Sequence, residues 1–161
     1  MIKSQNRNMK LKTLDLFGNI IASPNHPALF FRDLGENSST RQRYLDGIYC
    51  DFVNLILLMD TQNRKAAGYI SYWTQIVTYK DFDKMTYQVN CVFLRNEYRN
   101  RRLSNLFIRE LTVDFVTIVR QHNRKLFLCD ASQIISDEGN IFAWRLKRSL
   151  TEAKLLLCDP A

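Results

Sequence analysis

The chain has 161 residues, 46% of them hydrophobic, and carries a net charge of +7 with a pI near 9.4. That composition excludes a disordered polar chain, and the longest apolar run, Leu55–Met59, is too short to cross a bilayer. The basic balance points to an anionic partner (phosphate, nucleic acid, an acidic protein or a membrane surface) or to a soluble domain that is merely basic.

In chain order, residues 1–10 read as a loose polar lead. "LKTLDLFGNIIA" is either a first strand or an irregular hydrophobic lead-in, and "SPNHPALFFRDLGENSS" holds a short amphipathic piece between prolines and a glycine. A short helix follows, with Ser39 and Thr40 as N-cap candidates. "FVNLILLMD" and "KAAGYISYWTQIVTY", joined by the polar turn "TQNR", predict a β-hairpin. The turn "KDFDK" leads to a third meander strand, "MTYQVNCVFL". From Leu103 onward the period changes: Leu106, Phe107, Leu111, Phe115, Ile118 and Val119 recur in steps of three and four, a helix with one buried stripe. "LFLCDA" predicts a strand covered on both faces. "SDEGNIFAWRLKRSL" predicts a helix capped by Asp137, and "AKLLLCDP" a last strand. The expected fold class is α/β (or α+β): one domain over residues 1–161, its mixed sheet antiparallel in the middle and parallel across the strand–helix–strand unit.

The four cysteines, Cys50, Cys91, Cys129 and Cys158, contain no C-x-x-C pair, and His26 and His122 sit in unrelated contexts, so no metal site is expected. Three of the cysteines lie in apolar runs, as free thiols pack in a reducing compartment. "MIKSQNRNMKLKTL" lacks a continuous apolar segment, so a cytoplasmic protein is expected. Tyr69, Tyr72, Trp73, Tyr79, Phe82 and Tyr87 cluster in the second and third meander strands, where they form core or line a groove. With Lys80 and Lys84 between them, such rings also suit stacking against nucleic-acid bases.

The stretch "VFLRNEYRNRRLS" runs from a strand through an arginine-rich turn into a helix. A helix N-terminus offers unpaired N–H groups and partial positive charge, to which Arg99, Arg101 and Arg102 add theirs. Such a turn holds a phosphate group or simply faces water.

The segment "VFLRNEYRNRRLSNLFIREL" resembles motif A of the GCN5-related N-acetyltransferase superfamily, V-x-P-x-Y-R-G-x-G-x-G/A followed by a helix. Glu97, Tyr98 and Arg99 stand as the family's E-Y-R, and Arg101 as its common basic residue. Asn100 and Arg102 replace the two glycines, Ser104 replaces the following small residue, and Asn96 falls where proline is usual. Downstream, "NIFAWRLKRSL" is similar to the family's N-x-x-A-x-R-L-Y-x-x-L, with Asn140, Ala143, Arg145, Leu146 and Leu150 in agreement. "AAGYISYW" resembles the family's second hairpin strand, so the resemblance covers roughly residues 50 to 158.

The resemblance implies an acyl-CoA-dependent N-acyltransferase that moves an acetyl or other acyl group from a CoA thioester, acetyl-CoA above all, to an amine. The cofactor-binding positions it implies are Val92, Phe93, Leu94, Arg99, Asn100, Arg101, Arg102, Leu103, Ser104 and Asn140. Lys147 occupies the position of the family's general-acid tyrosine, though it reads more readily as a solvated helix residue, and the sequence leaves the catalytic acid unknown. A lysine ammonium ordinarily titrates near about 10.4 and protonates a thiolate well only when its surroundings lower that value. Tyr98, Tyr72 and Cys129 are the other candidate acids. No carboxylate base stands in "TYQVNC", which leaves ordered water and backbone carbonyls, while Asp130 could orient an amine or cap a turn. The alternative is a catalytically inactive binding protein of the same fold, acting through its basic surface on nucleic acid or an acidic protein.

Overall fold

The computed structural model describes residues 11–22, 27–133 and 136–158, the side chains of residues 27–29 excepted. The lead at residues 1–10 and His26 fall outside the described residues. Seven strands and three α-helices follow one another. They are β1 (Leu11–Asp15), β2 (Ile20–Ile21), α1 (Ser39–Tyr49), β3 (Asn54–Asp60), β4 (Lys65–Thr78), β5 (Asp83–Leu94), α2 (Ser104–Gln121), β6 (Leu126–Asp130), α3 (Asp137–Glu152) and β7 (Leu156–Cys158). Short 3-10 segments occupy Pro27–Leu34, broken at Phe31, and Asn96–Tyr98. The strand order is β2-β1-β3-β4-β5-β6-β7, a mixed α/β arrangement of the expected class.

The described residues fall into two compact units, one within Met1–Trp73 and Asn90–Arg101, the other within Thr74–Val89 and Arg102–Ala161. In the first unit, "LKTLD" is a true strand. It pairs parallel with β3, Leu11 opposite Leu55 through Asp15 opposite Met59, and the connection passes through the 3-10 segment and α1. β3 and β4 pair antiparallel, with a register shift between Leu58 (opposite Gly68) and Met59 (opposite Ala66) that leaves Ala67 as the extra residue of a bulge. Phe31, Tyr44 and Tyr69 fill the core with Leu11, Leu55, Leu57 and Met59. Ring centroids lie 4.6 Å apart for Phe31 and Tyr44 and 5.1 Å apart for Tyr44 and Tyr69. Full burial of each such ring is worth about 1.5–3 kcal/mol. Tyr69 Oη donates to Thr40 O at 2.9 Å, so its polar tip is also satisfied.

In the second unit, β5, β6 and β7 pair parallel, in register from Asp83 opposite Leu126 and from Phe127 opposite Leu156. The three- and four-residue stripe of α2 buries Phe107, Leu111 and Phe115, as its spacing predicts. Phe115 packs on Tyr87 of β5 with centroids 5.0 Å apart. α3 buries Phe142, Leu146 and Leu150 and meets α2 through a 2.8 Å Thr112–Ser149 hydroxyl contact.

Both expected helix caps shift by one residue. Ser38, not Ser39 or Thr40, caps α1 by accepting from Arg41 N. Ser136, not Asp137, caps α3 by accepting from Gly139 N. The reason is geometric: the capping residue is extended, with φ/ψ of −68/123 at Ser38 and −136/157 at Ser136, while its neighbours are already helical.

Candidate functional site: the turn between β5 and α2

β5 ends on Val92, Phe93 and Leu94, all half-buried. β4 approaches this end closely at Gly68. A Cβ placed there would lie 2.1 Å from Phe93 O and 2.8 Å from a Leu94 methyl carbon. No side chain fits, so the glycine is what lets the strands meet.

Arg95 follows, and it is buried, at 6% exposure. Its Nη1 and Nη2 donate to the two carboxylate oxygens of Asp33 at 2.6 and 2.8 Å. Nε donates to Ala66 O at 2.6 Å, Nη2 also reaches Phe30 O at 2.8 Å, and the backbone N–H donates to Ala67 O at 2.8 Å. The carbonyls freed by the β4 bulge are thus satisfied by one residue, and the guanidinium lies over the Phe31 ring at 5.2 Å. Desolvating a guanidinium is costly unless each donor finds a partner, and here the fork geometry supplies them. The first arginine of the stretch is therefore a structural clamp.

Within the 3-10 turn, Tyr98 is buried and donates to Asp60 Oδ2 at 2.7 Å. Burial first, then the hydrogen bond to Asp60, pushes its hydroxyl up to about 12. Hydrogen bonds from the Asn63 side chain, then from Tyr98, hold the Asp60 carboxyl below its usual range. Glu97 pairs with Lys65. Arg99 Nε caps the last β5 carbonyl, Leu94 O, at 3.0 Å, and the Arg101 guanidinium lies 5.6 Å from the Tyr98 ring centroid. Arg99, Asn100, Arg101 and Arg102 are all exposed.

Two backbone angles stand out. Asn100 has φ 61 and Arg102 has φ 57, both left-handed. A residue bearing a Cβ gives up roughly 1–2 kcal/mol to sit there. The chain then enters α2 through Leu103, half-buried like Ser104. Whereas α1 and α3 begin under a serine cap, α2 begins without a side-chain cap.

The other predicted residues lie on α3 or in the β-strands. Asn140 and Lys147 are exposed on α3. Tyr72 and Cys129 are buried, at 6% and 5% exposure. Burial, then the neighbouring Cys158, raises the Cys129 thiol above its ordinary value. Asp130 caps its own turn, accepting from Ser132 N at 2.8 Å. The Ser132 hydroxyl in turn accepts from Val89 N at 2.9 Å. Among the described residues no cluster of three or more His, Cys, Asp or Glu could hold a metal ion, and no helix is long and apolar enough to cross a membrane.

Sequence reasoning did not find Asp33 or Asp60 as partners of this segment, since they lie 62 and 38 positions away along the chain. The only local trace of Arg95's role was a charge closing an apolar run, a pattern that also fits a solvent-facing side chain.

No family model matches the chain, and no curated protein matches it. Solved structures similar to it include a mutant of the BH1408 protein from Bacillus halodurans (10% identity, 73% of this chain and 74% of that one, TM-score 0.48). A possible acetyltransferase from Clostridium difficile 630 is similar at 14% identity over 83% of this chain and 84% of that one, TM-score 0.44. A GNAT family acetyltransferase from Staphylococcus aureus is similar at 17% identity over 71% and 79%, TM-score 0.38. At identities of 10% to 17% and TM-scores of 0.38 to 0.48, no function passes from them to this chain.

Proposed function

We propose that the chain is an acyl-CoA-dependent N-acyltransferase whose CoA pyrophosphate is held by the turn from Arg99 to Ser104. One observation carries this: the two residues that stand where motif A has glycines, Asn100 and Arg102, both have left-handed backbones. The same backbone angle occurs singly in the turns at Arg64 and Lys154, whereas here two such residues fall within three positions. They fit a loop that retains a glycine-dependent path after losing its glycines. The uncapped start of α2 and the exposed Arg101 complement a diphosphate by partial and full positive charge. Val92, Phe93, Leu94, Leu103 and Asn140 are the further cofactor-binding positions that the family resemblance implies.

In the transfer itself the acceptor nitrogen bonds to the thioester carbonyl carbon, the C–S bond breaks, and the amine proton leaves to water. The departing thiolate takes a proton. Of the four candidate donors, Tyr98, Tyr72 and Cys129 are buried, and Lys147 is the exposed one. Lys147, at the family's tyrosine position, is the accessible side chain to test against water as the proton source. Catalysis by proton donation from a positioned side chain contributes about 10²–10⁴-fold, so with the lysine as donor Lys147→Met should lower kcat within that range and leave acetyl-CoA affinity unchanged. The enzyme reading is tested by incubating the protein with acetyl-CoA and a panel of amines and measuring free CoA thiol. Release above the hydrolytic background supports it. Background release with every amine, together with no thermal shift at millimolar acetyl-CoA, would sink it in favour of a binding protein.

A further inference from the structure

The tip of the β4–β5 hairpin carries a second set of aromatic and basic side chains, all within the second unit and separate from the arginine turn. The chain reverses over Lys80 and Asp81, with Tyr79 N donating to Phe82 O at 2.9 Å. The Tyr79 and Phe82 rings stack, centroids 5.0 Å apart and planes 19° apart. Phe127 of β6 stands edge-on to Phe82 at 5.3 Å and 84°. Lys84 Nζ lies 5.8 Å from the Tyr79 centroid, and Lys125 Nζ 5.0 Å from that of Phe127. With Asp81 and Cys158, these side chains line a cavity of about 530 Å³, the size of a small-molecule site.

The cations here are of two kinds. Arg124 spends its guanidinium on the protein: Nη2 donates to Tyr79 O at 2.8 Å and to Lys80 O at 2.9 Å, and Nη1 lies 3.2 Å from Asp83 Oδ1. The other oxygen of the buried Asp83 meets His122 Nε2 at 2.6 Å. These contacts fix the hairpin tip before any ligand arrives. Lys84 and Lys125 instead rest on ring faces, and neither has an ion-pair partner among the described residues. Two ammonium groups therefore flank an aromatic cavity in which Asp81 is the single carboxylate among the described residues.

We infer that this cavity binds a nucleotide unit, its base against the Tyr79, Phe82 and Phe127 rings and its phosphate between Lys84 and Lys125. An apolar ligand without charge would leave both ammonium groups unused, and a bare phosphate would leave the rings unused. A flat ring bearing an anion uses both. Stacking on aromatic side chains is tolerant of base identity, and the ammonium charges add a salt-sensitive part. The unit belongs either to a free nucleotide or to a single strand, and the two sources are separable.

The test is fluorescence anisotropy with a labelled decauridylate, and competition by unlabelled UMP and AMP, on the wild-type chain and on Lys84→Gln/Lys125→Gln. Arg43→Gln/Arg120→Gln, two exposed changes outside both proposed sites, serves as the comparison. The expected result is binding that weakens with salt and, in the lysine variant, a Kd raised about tenfold, with the arginine variant near wild type. Oligonucleotide binding that UMP and AMP fail to displace places the unit in a strand; displacement by either at micromolar levels points to a free nucleotide. Should the double variant fail to fold by circular dichroism, Lys125→Gln alone, an exposed change, gives the reading. Absence of binding at millimolar nucleotide, or binding lost in the arginine variant and kept in the lysine variant, overturns the inference. The outcome does not depend on whether the chain uses acetyl-CoA.

Discussion

Arg95 and Asp33 form a two-pronged ion pair, Nη1 donating to one carboxylate oxygen at 2.6 Å and Nη2 to the other at 2.8 Å. The arginine is 6% exposed and the aspartate 58%, so the two ends of the pair are not equivalent. Replacing Arg95 with Ala leaves Ala66 O and Phe30 O without their donor inside the fold. We expect it to cost about 1–3 kcal/mol for each carbonyl left unpaired, the usual loss for a buried acceptor without its donor. Asp33→Asn keeps the carbonyl bonds but offers one acceptor oxygen to two guanidinium donors, and should cost less, about 1–3 kcal/mol. Urea unfolding of the two variants checks the ratio. Equal losses would mean the clamp works through charge rather than through the carbonyls.

The same pair sets an acid limit. Hydrogen bonds from Arg95 hold the Asp33 carboxyl below its usual 3.8. A group whose value falls on folding stabilises the native state above its unfolded value and stops doing so as pH drops through the folded one. Thermal stability should therefore decline as pH falls below about 4, and Asp33→Asn should flatten part of that decline. A wild-type profile with no greater acid loss than the variant would contradict the assignment.

Tyr98 sets the opposite limit. Its hydroxyl is pushed up to about 12 by burial and by Asp60, so the neutral form stabilises the fold below the unfolded value. That contribution fades as pH rises from about 10 to 12. Tyr98→Phe should lose about 1 kcal/mol at pH 7 through the missing hydrogen bond. It should also weaken the alkaline dependence, although buried Tyr44, Tyr69 and Tyr87, raised by the same desolvation, keep part of it. Melting temperature against pH, with tyrosinate absorbance, reads both.

Much of the fold was legible because its signals are local. The α2 stripe, the apolar β6 run and the hairpin turns need only neighbouring residues to be read. β1 was ambiguous because its partner is β3, across the segment that holds Pro27–Leu34 and α1. At the site, asparagine takes a left-handed backbone more readily than arginine does, and Asn100 and Arg102 both adopt it. The aromatic cluster divides in two, Tyr69, Tyr72 and Tyr87 in the core and Tyr79 exposed at 43%. Period-two alternation could not assign those faces, because β4 and β5 each run through both compact units.

Gly68 makes a sharper stability prediction. Since a Cβ there would meet Phe93 O at 2.1 Å, against backbone rather than a flexible side chain, Gly68→Ala must displace a strand. Overpacking of this kind costs about 1–3 kcal/mol and sometimes more. A variant that expresses, folds and melts like wild type would show that the two strands lie further apart than this geometry has them.

The left-handed pair gives a prediction that separates strain from charge. Arg102→Gly and Asn100→Gly relieve a left-handed backbone and should each hold or raise stability, by up to about 1 kcal/mol. Arg102→Val adds a β-branch at a position that tolerates none and should lower the melting temperature. If glycine destabilises at both positions, the turn is held by side-chain contacts rather than by its backbone path.

Calorimetric titration of acetyl-CoA into the wild type, Arg102→Gly and Arg102→Val tests the central claim most directly. We predict binding in the wild type, equal or tighter binding in Arg102→Gly and loss in Arg102→Val. No heat from any of the three at millimolar acetyl-CoA, or the same affinity in all three, would contradict a pyrophosphate seat at residues 99–104.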